Sequence, residues 1–167
     1  MNNIKKPILI ALLVSVGLVL HIVEGMIPMG AIVPGAKLGL ANVVNLIGLV
    51  LFGFSAGLQI LILRMLLGSF LIGSFMTFNF FLSLSGGLLG YIIMSYAYKH
   101  FKDKFSLIGI SVLGAVFHNI GQIVIAYLII ANTGIFYYLP FLLLLGIPTG
   151  IGVGLVALLS VDYLPVS

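Results

Sequence analysis

Cysteine is absent from this chain, and acidic side chains nearly so: Glu24, Asp103 and Asp162 are the only three in 167 residues. The first absence excludes disulfides, thiolate nucleophiles and iron–sulfur ligation. The second excludes the paired carboxylates that hold magnesium against a diphosphate, because Asp103 and Asp162 fall at the cytoplasmic edge, away from Glu24. Charged residues of every kind make up 6 % of the chain, against roughly 25 % in a soluble domain. A water-exposed surface cannot be built from such a composition. No H-E-x-x-H pair or phosphate-binding P-loop occurs, so the sequence lacks that metalloprotease motif and cannot hydrolyse ATP by itself. The formal charge of +4 does not indicate a nucleic acid partner, since the basic residues are few and gather at predicted helix ends.

What the chain does contain is apolar: 62 % of its residues are hydrophobic, the composition of an integral membrane protein of a single domain, residues 1–167. The runs cover 7–27, 37–53, 56–73, 78–98, 106–131 and 139–161. They are continuous rather than alternating, which favours helices over a barrel. The second and third are near the ~17-residue lower limit for spanning. Lys5 and Lys6 before the first run resemble the start of a signal peptide, but the run is too long and lacks a small-x-small cleavage site, so it reads as the first span. Pro28 and Pro34 break the chain after it, Gly53-Phe54-Ser55 forms a turn, and Pro140 suits the first turn of the last helix. The expectation is an all-α integral membrane fold, a bundle of six transmembrane helices. Lys5, Lys6, Lys99, Lys102 and Lys104 fall on one side of it, which places both termini in the cytoplasm. Small residues four apart, Gly146, Gly150 and Gly154 in the last run and Ala11 and Ser15 in the first, allow helix backbones to approach closely.

The few ionic and amide side chains gather toward the other side. At 1.5 Å per residue, Arg64 lies about 12 Å into its helix, His118 about 18 Å and Gln122 about 24 Å into theirs. His118 and Gln122 share a face, with Asn119 beside them. His21 and Glu24 end the first helix, Lys37 and Asn42 open the second, and Asn79 and Ser83 open the fourth. Polar groups in lipid normally face a protein interior or a watery cavity, so this set predicts a pocket open to one compartment. Each residue also has a plainer reading. His21 and Glu24 can pair with each other, Lys37 can reach the head groups, Arg64 can pair structurally with Glu24, and Asn45 serves as interhelical glue. Metal ligation by His21, Glu24 and His118 rests on generic spacing. The substrate-binding set is Glu24, Lys37, Asn42, Arg64, Asn79, His118, Asn119 and Gln122, with no metal and no cofactor. Lys37, Arg64 and His118 imply a ligand carrying anionic or acceptor groups.

Four segments resemble a known family. Pro34-Gly35-Ala36-Lys37-Leu38-Gly39-Leu40-Ala41-Asn42, Leu63-Arg64-Met65-Leu66-Leu67-Gly68, Ser83-Leu84-Ser85-Gly86-Gly87 and the stretch Ser111 to Gln122 around Phe117-His118-Asn119 follow the order of the Gx transporter family, also named heptaprenyl diphosphate synthase component I. That family is similar to the substrate-binding S components of energy-coupling factor transporters. The resemblance implies a six-helix membrane protein that captures a small molecule from outside, working with a membrane T component and two cytoplasmic ATPases. It also implies a docking face on the first helix at Ala11 and Ser15, and a lid in the loop Pro28–Gly35. The alternative implied by the second name is a membrane accessory subunit in prenyl diphosphate or quinone synthesis. The chain lacks the D-D-x-x-D motifs of prenyl synthases, so in that setting it is not the catalyst.

Overall fold

The computed structural model of the protein describes residues 5–27 and 39–163. The described residues contain no strand. Their helices are α1 (Lys5–Met26), α2 (Asn42–Phe52), α3 (Phe54–Leu71), α4 (Phe78–Phe101), α5 (Leu107–Ile130) and α6 (Leu139–Tyr163), with a short 3-10 helix at Thr133–Tyr138 before α6. Five helical segments are long and apolar enough to cross a membrane, the last of them running from Thr133 through α6. Large apolar side chains on these helices face outward, among them Leu12, Leu128 and Leu144 at 58 %, 66 % and 71 % exposure. Outward-facing leucines of this kind are what lipid solvates. This is a multi-pass membrane protein.

The expected second span is the one that changes. The helix begins at Asn42 rather than 37 and has 11 residues, about 16 Å of rise, which is half of the ~30 Å hydrocarbon thickness. Its run from Val43 to Leu49 is buried without a break, enclosed by contacts with α1, α3 and α6. A helix wrapped by other helices need not match the bilayer, and its all-round apolarity reflects that position. Lys37 and the loop Pro28–Gly35 lie outside the described residues. The other boundaries shift by a few residues at most; α3 starts directly after Gly53, whose φ of 84° suits glycine.

Around α2 the neighbours close a ring: α3 against α4, α4 against α5, α5 against α6, and α6 back against α2. α1 packs on the outside of α2 and α3, burying only Val14 and Gly17. Glycine sets the closest crossings. A Cβ on Gly90 of α4 would fall 2.5 Å from the Gly114 carbonyl oxygen of α5, and one on Gly121 of α5 would fall 3.0 Å from the Gly86 Cα. Across α5 and α6, the expected small-residue stripe is used for packing: a Cβ on Gly150 would lie 2.8 Å from the Val112 Cα, and one on Gly154 2.6 Å from the Ile108 Cα. Ser85 Oγ donates to the Gly121 carbonyl at 3.0 Å, an interhelical bond made possible by this approach.

A methyl group at Gly90 has nowhere to go, since the atom it meets is backbone. Gly90→Ala is expected to destabilise the bundle by about 1–3 kcal/mol, read as a lower unfolding temperature in detergent. Gly152, around whose added Cβ nothing lies within 4 Å, provides the control: Gly152→Ala should leave the midpoint unchanged or slightly raised.

Candidate ligand-binding site

Arg64 sits in the middle of α3 at 5 % exposure. A guanidinium stays charged at any physiological pH, so in a membrane interior it must be supplied with acceptors. Two asparagines supply them. Arg64 Nη2 donates to Asn42 Oδ1 at 3.0 Å, Arg64 Nε donates to Asn45 Oδ1 at 3.4 Å, and Asn45 Nδ2 donates to Asn42 Oδ1 at 3.3 Å. The two asparagines are three apart on α2 and therefore share a face. Glu24, near the end of α1, contributes the opposite charge that acts on Arg64. Its Oε1 accepts from the Gly39 backbone N–H at 2.5 Å, and Gly39 takes a φ of 69° in the turn leading into α2. Glu24 thus ties the end of α1 to the start of α2 while balancing Arg64.

Small residues make this geometry possible. A Cβ on Gly17 of α1 would fall 2.8 Å from Arg64 Cδ and 2.7 Å from Val44 Cγ2, so the arginine stem lies where only glycine leaves room. One on Gly68 of α3 would fall 2.7 Å from His21 Cδ2, which seats the His21 ring against α3. On the facing helix, His118 and Gln122 join through Nε2 and Nε2 at 3.1 Å. Asn119 Nδ2 donates to the Leu142 carbonyl at 2.7 Å and so fastens α5 to α6.

Two small chambers lie between these groups. One, of about 50 Å³, is walled by Asn42, Asn45, Gly87, Ser111, His118, Asn119 and Thr149 among others. The other, of about 30 Å³, is walled by His21, Glu24, Asn42, Arg64, Ser83 and His118 among others. Gly39, Asn42, Gly87 and His118 belong to both, so the Asn42 and His118 side chains stand at the partition. A water needs roughly 10–15 Å³ of such space, so the chambers are the size of a few waters. A larger ligand requires the helices around the partition to separate.

The structure therefore brings together Glu24, Asn42, Arg64, His118 and Asn119 from the expected set, with His21 beside them. It sets Asn79 apart, exposed at the start of α4, while Gln122 is buried against His118; both line a different cavity. Lys37 lies outside the described residues. Among the described residues no three His, Asp or Glu side chains come together as a metal-ligand set. Asn45, expected as interhelical glue, does join α2 to α3, and the group it holds is Arg64. Its three-residue spacing from Asn42 was the available signal. Ser111 and Thr149 were not picked out at all, because hydroxyl residues are common on membrane helices and only the packing brings them to the chamber wall.

Replacing Asn45 by leucine keeps the bulk but leaves Arg64 Nε facing a hydrocarbon group. Asn45→Leu is expected to cost about 1.5–3 kcal/mol of stability, as for a lost hydrogen bond to a charged group, measurable as a fall in the unfolding temperature of the purified protein. An unchanged midpoint would mean that Asn42 and Glu24 suffice for the guanidinium.

Comparison with known proteins gives one match. A family model described as heptaprenyl diphosphate synthase component I aligns with residues 13–159. No curated protein matches, and no solved structure matches.

Proposed function

The chain belongs to the heptaprenyl diphosphate synthase component I family, and from that premise we propose that it is a non-catalytic membrane subunit that binds a small molecule in the chambers beside Arg64. The observation carrying this reading is the arginine itself. A buried permanent cation is an expensive way to hold helices together, and replacing such a group by well-packed apolar residues is often neutral or stabilising. Here it borders a polar chamber, where an anionic or acceptor group on a ligand would add to the asparagine oxygens. Asn42 and His118, on the partition between the chambers, would orient that ligand. Lys37, outside the described residues, is proposed as a further contact. In the setting named by the family, prenyl transfer would belong to a separate catalytic component, because this chain has no paired carboxylates to bind a magnesium diphosphate.

A second reading is favoured by a specific feature of α1. Ala11 and Ser15 both face outward, and Ser15 Oγ donates to the Ala11 carbonyl at 3.0 Å, which folds its hydroxyl back against the helix. The result is a narrow strip of small groups beside the exposed Ile8 and Leu12, on a helix that the bundle leaves largely uncovered. Such a strip suits close helix docking, and a substrate-capturing subunit of an energy-coupling factor transporter would use it to meet its T component and, through that, two ATPases. Affinity purification of the tagged chain from its native membranes distinguishes the two. Recovery of a prenyl synthase catalytic component supports the accessory subunit; recovery of a T component with ATPases, and no synthase, replaces it with the transporter reading.

Two further outcomes are expected. Native mass spectrometry of the gently solubilised protein should reveal a retained small molecule. Arg64→Ala should weaken its binding by about 1.5–3 kcal/mol, with Arg64→Lys recovering only part because the planar fork is lost. If affinity holds while thermal stability falls, Arg64 is a structural partner of the asparagines and Glu24 alone. For orientation, we place both termini and the Lys99–Lys104 loop in the cytoplasm. Cysteines introduced at Lys102 and Asn132, beyond opposite ends of α5, should then react from opposite faces, with only the Asn132 position labelled by an impermeant reagent on intact cells.

A further inference from the structure

Gln122 carries an unexplained feature. At 3 % exposure its Nε2 is engaged with His118, yet its Oε1 is buried with no hydrogen-bond partner. Buried amide oxygens are almost always satisfied, and an orphan of this kind calls for a reason. Gln122 lines a cavity of about 470 Å³ bounded by the start of α4, the second half of α5, the 3-10 helix and the start of α6. This cavity shares no lining residue with the two chambers near Arg64. Its size falls in the range of small-molecule sites, about 300–1,000 Å³.

The lining fixes the class of occupant. No charged side chain contributes to it; the walls are largely apolar, with Phe78, Leu82, Ile123 and Ala126, and the polar groups are the neutral Asn79, Gln122, Asn132 and Tyr138. Asn132 Oδ1 is already engaged by the Gly134 N–H at 2.8 Å, which leaves the Gln122 oxygen as the acceptor in need of a donor. We infer that this cavity is a second binding site, for a neutral apolar molecule with a hydroxyl head group that donates to Gln122 Oε1 once that atom, enclosed by protein in this structure, turns toward the cavity. A hydroxyl both donates and accepts, so it satisfies the amide in either orientation of its oxygen and nitrogen. An anionic head group finds no cation here. Through Gln122 and His118 the site connects to the partition of the inner chambers, but its existence does not depend on a ligand binding there.

The test uses the purified full-length protein, with farnesol and farnesyl methyl ether as probes and bound probe counted by native mass spectrometry. The two share an apolar body and differ in the donor. The wild-type chain is expected to bind farnesol saturably, one per chain, and roughly tenfold more tightly than the ether, the difference made by one hydrogen bond to an otherwise unpaired buried group. Gln122→Leu should remove that preference and bring both probes to the ether's affinity, and Ile135→Trp, placed in the cavity wall, should weaken both. Non-saturable partitioning, equal wild-type affinity for the two probes, or a preference that survives Gln122→Leu overturns the proposal and leaves the cavity to water or lipid tails. The wild-type comparison decides even if a variant fails to fold.

Discussion

A single guanidinium organises the inner half of this molecule. Arg64 lies where hydrocarbon would otherwise be, and its charge cannot be relieved by losing a proton. Everything around it answers that requirement. Asn42 and Asn45 present their oxygens from one face of α2, Glu24 brings the opposite charge from α1, and Gly17, having no side chain, leaves room for the arginine stem to pass. Three helices are thereby held in one arrangement by polar contacts that apolar packing alone would not specify. Because the same contacts border the small chambers, the interaction that fixes the fold and the interaction that would read a ligand are one.

Glycine provides the complementary constraint on the other side of the bundle. The α4–α5 and α5–α6 crossings are set by backbone meeting backbone at Gly86, Gly90, Gly121, Gly150 and Gly154. In lipid there is no hydrophobic drive to bring helices together, so such close approach, with its many small dispersion contacts, carries the association. It also explains why the inner chambers are so narrow. Helices this near one another leave space only where a glycine or a hydroxyl residue faces another small group.

The long helices were legible in the sequence because an uninterrupted apolar run has only one solution in a bilayer. The polar set was legible as a group, since so few ionic residues exist that each stands out. What the sequence could not resolve was azimuth. Depth arithmetic placed Asn79 and Gln122 with the others, but Asn79 faces a different cavity and Gln122 lies between that cavity and His118. Asn45 was legible as interhelical glue, but only the meeting of α2 with α3 shows that the group it holds is Arg64. The shortness of the second helix, 11 residues, was not legible because burial by protein and burial by lipid call for the same residues, so a short run looks alike on composition in either setting.

That short helix has a consequence for how the protein is made. At about 16 Å, α2 alone would leave the unpaired amides and carbonyls of its ends inside hydrocarbon, which the bilayer does not tolerate. It cannot rest in the membrane as an independent span, as the two-step picture of stable helices followed by assembly would require. Joined to α3 through the turn at Gly53, it can enter only as one arm of a hairpin, and that arm remains incompletely sheltered until α6, emerging much later from the ribosome, closes against it. Biogenesis is therefore coupled across most of the chain. The asparagine pair that serves Arg64 is synthesised before the last of the helices that pack around it.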